Sequence, residues 1–185
     1  MIADSAYKNF GCFAVLVLFL GLTFLVYRWP QDKGLTFSQH AAAQRVSIGY
    51  YIGLFTVVLP LLNLFFIEWF VPTLRLSEWF IICVVVSSVA QFACTLIPEI
   101  AGIRAKWHRA LAGLSALLLA PPLGLLLFSD HIYAWLKIVI LLCLVVMTSV
   151  IGAASFIRGK ALGWQAQALY FSAFFVAILS VTYLA

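Results

Sequence analysis

Residues 132–156 read IYAWLKIVILLCLVVMTSVIGAASF, and Lys137 is the one charged residue among them. An apolar surface on every side of a helix that long belongs to a membrane span or to the core of a large protein. A bilayer core about 30 Å thick is crossed by roughly 20 apolar residues rising 1.5 Å each, and a helix satisfies its own backbone hydrogen bonds there. The stretch is therefore expected to span a membrane. The same criterion selects residues 9–27, 47–70, 79–97, 107–128 and 162–184. Tryptophan gives a second signal, because indole favours the headgroup level, and Trp29, Trp69, Trp79, Trp107, Trp135 and Trp164 fall one per segment, near an end. The expected fold class is all-α, an integral membrane bundle of six transmembrane helices forming one polytopic domain over residues 1–185.

Composition excludes several classes. Only 9% of residues are charged and 65% are hydrophobic, so the chain cannot cover itself with a water-compatible surface or hide a separate catalytic domain in a loop. The net charge of +5 does not imply a nucleic-acid partner, since the basic residues stand singly between apolar runs instead of clustering on one face. Cys12, Cys83, Cys94 and Cys143 all lie inside apolar runs without C-x-x-C or metal-ligand spacing, and are expected to act as small apolar residues. Lys8 alone precedes the first apolar run, which ends at Tyr27-Arg28-Trp29 without a small-x-small cleavage site, and so reads as a retained helix.

Loop charge gives direction. Of the 11 basic residues, Arg28, Lys33, Arg45, Arg104, Lys106, Arg109, Arg158 and Lys160 fall in or beside the odd-numbered connections, against Lys8, Arg75 and Lys137 on the other side. The positive-inside rule then puts the odd connections in the cytoplasm and both termini outside, in the cell's inner (plasma) membrane. Short loops impose an up-down order, and only the first connection is long enough to lie across the bundle mouth.

Polar groups within the membrane are costly and direct attention to themselves. Asn63 and Gln91, with Ser87, Ser88, Ser115 and Thr148, are read first as interhelical hydrogen-bonding groups. Pro60, three residues before Asn63, and the pair Pro121-Pro122 remove backbone donors and are expected to bend their helices. The small residues Gly152-Ala153-Ala154-Ser155 suit close helix approach. The densest grouping lies at the expected cytoplasmic interface: Ser38 and His40 in the first loop, Glu99 after the third helix, then Arg104 and His108, with Gln165 and Gln167 opening the last helix. These five, Ser38, His40, Glu99, Arg104 and His108, are the candidate ligand-binding residues. An imidazole, a carboxyl group and cations at one interface suit an anionic lipid headgroup or acid–base chemistry. Arg104, Lys106 and Arg109 also suit a simpler role as topology charges. His131 falls on the opposite side from His40 and His108, no hydrolase, zinc-protease or phosphate-loop motif occurs, and Lys137 sits near a helix end, where it snorkels. No catalytic residue, metal or cofactor is assigned.

The order of a loop serine (Leu35-Thr36-Phe37-Ser38-Gln39-His40), a third helix ending Leu96-Ile97-Pro98-Glu99, and a fourth opening Trp107-His108-Arg109-Ala110-Leu111-Ala112-Gly113 resembles the bacterial membrane family catalogued as domain of unknown function 998, distantly similar to DRAM-like membrane proteins. Ser38, Pro98 and His108 match that pattern, while Gln39-His40 stands where the family has an acidic residue. The family has no established activity, so the resemblance implies six helices and singles out the same interface without naming a reaction. The expected function is a non-enzymatic multipass protein with membrane lipids as partners, binding a lipid or small amphiphile in a pocket closed by the first loop. An accessory subunit packed against another membrane protein, and a lipid-modifying enzyme, are the alternatives.

Overall fold

The computed structural model describes residues 2–32, 35–99, 102–156 and 163–185; Lys33, Arg158, Lys160 and the expected start of the last helix at Leu162 lie outside them. Every regular element described is helical: α1 (Ile2–Arg28), α2 (Phe37–Ala41), α3 (Arg45–Phe65), a π-helical turn (Phe66–Phe70), α4 (Val71–Thr73), α5 (Glu78–Leu96), α6 (Ile103–Leu127), α7 (Ala134–Phe156) and α8 (Trp164–Leu184). Six of the helical runs are long and apolar enough to cross a membrane, with α3, the π turn and α4 forming one continuous span of 29 residues, Arg45–Thr73. The protein is a six-helix transmembrane bundle.

Each span packs on the next in the order α1, α3, α5, α6, α7, α8, and α8 returns to touch α1 and α6, which closes the helices into a ring. Outward faces carry exposed Phe13, Leu20, Val86, Leu117 and Leu142, as contact with acyl chains requires. Pro60, Pro121 and Pro122 sit inside helices that continue through them.

The two ends of the ring differ. At the end bearing the α3–α5 connection, Phe65, Phe66, Phe70 and Phe80 are buried and pack ring to ring, with centroids 4.9 Å apart for Phe65–Phe66 and 5.5 Å for Phe70–Phe80. Phe174 of α8 joins them, 6.3 Å from Phe66. The π turn makes this packing possible. Phe65, Phe66, Phe70 and Val71 are all buried, a spacing of five residues that a widened turn brings onto one face and an α-helical turn of 3.6 does not. Lys8 stays at that end by lying over the rings of Trp69 and Tyr183, at 5.2 and 4.6 Å.

Polar groups expected to join helices do so in part. Ser87 donates to the Ser115 carbonyl at 2.9 Å, and Ser88 donates to Asn63 Oδ1 at 3.3 Å. Thr148 donates back into its own helix. Gln91 lines an interior cavity at the other end of the ring.

Candidate functional site

The first connection folds over that other end because its sequence caps itself. Thr36-Phe37-Ser38-Gln39 forms a capping box: Thr36 Oγ1 accepts from the Gln39 amide at 3.1 Å, and Gln39 Oε1 accepts from the Thr36 amide at 2.9 Å. Three further bonds pin α2 in place. The Trp164 amide donates to the Leu35 carbonyl at 2.8 Å, the Phe37 amide donates to Gln167 Oε1 at 3.1 Å, and Ser47 donates to the Ala41 carbonyl at 2.7 Å.

Beneath α2 lies a cavity of about 320 Å³ lined by all six spans. Its volume is at the low end of the range for small-molecule sites. At the mouth stand Thr36, Ser38, Glu99, His108, Arg109 and Gln167, while Gln91 and Ser115 lie deeper in the lining. Its interior is mostly apolar, with Leu22, Phe55, Val150 and Phe171 in the wall. From His108 to Ala116, both in the lining, α6 rises about 12 Å, at 1.5 Å per residue. Tyr170 closes part of the floor and donates its hydroxyl hydrogen to the Ala116 carbonyl. Gly113 of α6 and Ala154 of α7 line the cavity and are also exposed, so two small residues leave it reachable from outside.

Glu99 organises the mouth. Its side chain is only 5% exposed, and Oε2 accepts from Thr36 Oγ1 and from Ser38 Oγ, each at 2.9 Å. The two hydroxyl oxygens are themselves 2.8 Å apart. Three oxygens thus form a triangle around two hydroxyl hydrogens, which tightly couples the loop to the end of α5. Arg109 Nε lies 3.8 Å from Glu99 Oε1 but gives its hydrogen to the Ala105 carbonyl at 3.2 Å. With its own side chain 51% exposed, Arg109 contributes little as an ion pair.

His108 is buried. Its Nδ1 lies 2.6 Å from the Ile97 carbonyl, which can only accept, so Nδ1 carries the hydrogen. Nε2 is then the nitrogen 3.8 Å from Glu99 Oε2. Cys94 Sγ sits nearly equidistant from both ring nitrogens, at 3.4 and 3.3 Å, and donates its hydrogen to the His108 carbonyl at 3.6 Å. That is not the order of a thiol nucleophile and its base. Likewise the Ser38 hydroxyl bonds to a carboxyl group and not to an imidazole. Among the described residues no group of three His, Cys, Asp or Glu side chains could hold a metal ion.

Of the residues singled out from sequence, Ser38, Glu99 and His108 share the cavity mouth. His40 is buried beside it and absent from the lining: its Nδ1 contacts the Trp29 carbonyl at 3.2 Å and ties α2 to the end of α1. Arg104 is exposed and outside the lining; Arg109, read from sequence as a topology charge, takes the place expected of it. The reason is height. Arg104 lies four residues before His108 on the same side of the helix, which lifts it about 6 Å, just over one helical turn, toward the end of α6. Thr36, Cys94 and the small residues of α6 were not foreseen as site residues, although the T-x-x-Q signature of the capping box was visible.

No family model matches the chain, and neither a curated protein nor a solved structure matches it.

Proposed function

We propose that the protein holds a lipid or small amphiphile, head at the Glu99 mouth and chain between the helices, in the cell's inner (plasma) membrane with the mouth toward the cytoplasm. One observation carries this. Below a polar mouth at its α2 end the cavity wall is mostly apolar, and the opposite half of the bundle is filled by the phenylalanine cluster. Such a blind, polarised cavity suits a molecule with a head and a tail better than a solute that must pass through. Loop charge supports the direction, since Arg28, Arg45, Arg104, Lys106 and Arg109 stand in or beside connections at the mouth end. An accessory subunit needs no interior cavity.

The test is mass spectrometry of lipids retained by the full-length chain purified in mild detergent. Gly113 is in the lining at the cavity's opening, and the Cβ of a side chain there meets nothing within 4 Å, so Gly113→Leu is chosen to obstruct the cavity without displacing neighbours at that atom. Wild type and the outward-facing variant Leu142→Ala should retain the same amphiphile, and Gly113→Leu should lose it. Equal retention by Gly113→Leu would place the lipid on the outer surface and remove the proposal.

A further inference from the structure

The hydrogen-bonding capacity left over at the mouth bears on which head the cavity takes. Glu99 Oε2 is occupied by the hydroxyls of Thr36 and Ser38. Glu99 Oε1 has only Arg109 Nε beside it, at 3.8 Å, beyond hydrogen-bond range and with its hydrogen committed to Ala105. A carboxyl oxygen of this lining residue, in a side chain 5% exposed, thus has no hydrogen-bond donor among the described residues and is open to one from a head that enters the cavity. Beside Glu99, His108 gives its Nδ1 hydrogen to the Ile97 carbonyl and holds Nε2 3.8 Å from Glu99 Oε2 and 3.3 Å from Cys94 Sγ. Free donors at the mouth belong to the half-exposed guanidinium of Arg109 and to Gln167 Nε2, whose amide oxygen already accepts from Phe37.

Glu99 is the acid of the cavity lining, and a carboxylate or phosphate head would bring like charge against it at close range. Size adds a limit: about 320 Å³, at the low end for a ligand site, with a depth near 12 Å, has room for one chain and not two. We infer that the site selects a single-chain amphiphile whose head donates hydrogen bonds, an alcohol or an ammonium, over one with an anionic head. This rests on the amphiphile-binding proposal above and goes further by naming the head chemistry.

Four probes of equal chain length test it on the full-length protein in phosphatidylcholine nanodiscs: monodecanoylglycerol, decylamine, decanoic acid and decyl phosphate. Binding is measured by titration calorimetry, with Gly113→Leu discs subtracted to remove partition into the bilayer. The glyceride and the amine should bind wild type about tenfold tighter than the acid and the phosphate. Glu99→Gln should bring the amine, acid and phosphate within about threefold of one another while keeping the glyceride, because the amide oxygen still accepts. An amine stronger than the glyceride assigns the preference to charge, and equal binding assigns it to the hydrogen bond; both support selection for a donor. If the acid or phosphate binds as tightly as the glyceride and amine, the head assignment is overturned while amphiphile binding stands. If none of the four exceeds the Gly113→Leu background, amphiphile binding itself fails and the head assignment goes with it. The wild-type ranking needs no variant at Glu99, so poor folding of Glu99→Gln would not shelter the inference.

Discussion

The Ser38 hydroxyl donates to Glu99 Oε2 at 2.9 Å across 61 residues of sequence, and this bond, doubled by Thr36, fastens the first connection over the bundle mouth. Removing one member leaves the buried carboxyl group short of a donor. Ser38→Ala should destabilise the protein by about 1–3 kcal/mol. Thr36→Ala should cost about 1 kcal/mol more, because it also removes the N-cap of α2. The three oxygens act together, so Ser38→Ala with Glu99→Ala should cost less than the two singles added, with coupling of about 0.5–3 kcal/mol. Thermal unfolding in one detergent measures this, and strict additivity would count against the triangle as a unit.

Two glycines of α1 sit where α3 comes closest. A Cβ at Gly11 would lie 2.7 Å from ring carbons of Phe65, and one at Gly21 would lie 2.5 Å from Leu54 Cδ1. Phe65 is only 1% exposed and held among other rings, so it cannot step aside. Gly11→Ala should therefore destabilise by about 1–3 kcal/mol. Gly53→Ala on α3, whose added Cβ meets nothing within 4 Å, should be neutral or slightly stabilising. Equal unfolding temperatures for the two variants would refute this account of α1–α3 packing.

Gly102 ends the short connection that carries Glu99 and opens α6 with φ of 91°, a conformation that L side chains rarely adopt. Gly102→Ala has open space around its Cβ, so its whole effect is on the backbone. We expect a stability loss of about 1–2 kcal/mol and reduced amphiphile retention, as the connection relaxes and shifts Glu99 away from Ser38. Unchanged unfolding and unchanged retention together would show that the positive φ is dispensable.

The helices were legible in the sequence because a hydrocarbon solvent leaves few options: long apolar runs ending in tryptophan and charge have one stable form. Ser38, Glu99 and His108 were legible for a related reason, since ionisable and polar groups near the membrane stand out against so apolar a chain. What escaped depended on contacts between distant segments. Arg104 and Arg109 look alike as cations at a helix start, and only the height of the mouth along α6 separates them. Cys94 reads as one more small apolar residue until His108 is packed on its sulfur. The π turn left little periodic signature, because Phe66 and Phe70, four apart, fit an α-helical stripe, and only the five-residue spacings Phe65–Phe70 and Phe66–Val71 depart from it.

The proposed direction in the membrane rests on loop charge alone and is separable from the rest. Alkaline phosphatase fused after Ala185 should be active, and green fluorescent protein at the same point should be dark, if the mouth faces the cytoplasm. The opposite pair of results would reverse the protein in the membrane and put the Glu99 mouth outside, leaving the cavity and its chemistry as described.

The occupancy of the cavity is tested most directly by photocrosslinking. A decyl alcohol carrying a diazirine at its chain end, irradiated with the full-length protein in nanodiscs and mapped by peptide mass spectrometry, should mark the interior wall at Phe55, Ala116 and Phe171. Those adducts should disappear in Gly113→Leu. Adducts confined to outward-facing Phe13, Leu20 and Leu142, unchanged by Gly113→Leu, would show that the chain stays in the bilayer and would contradict the central claim.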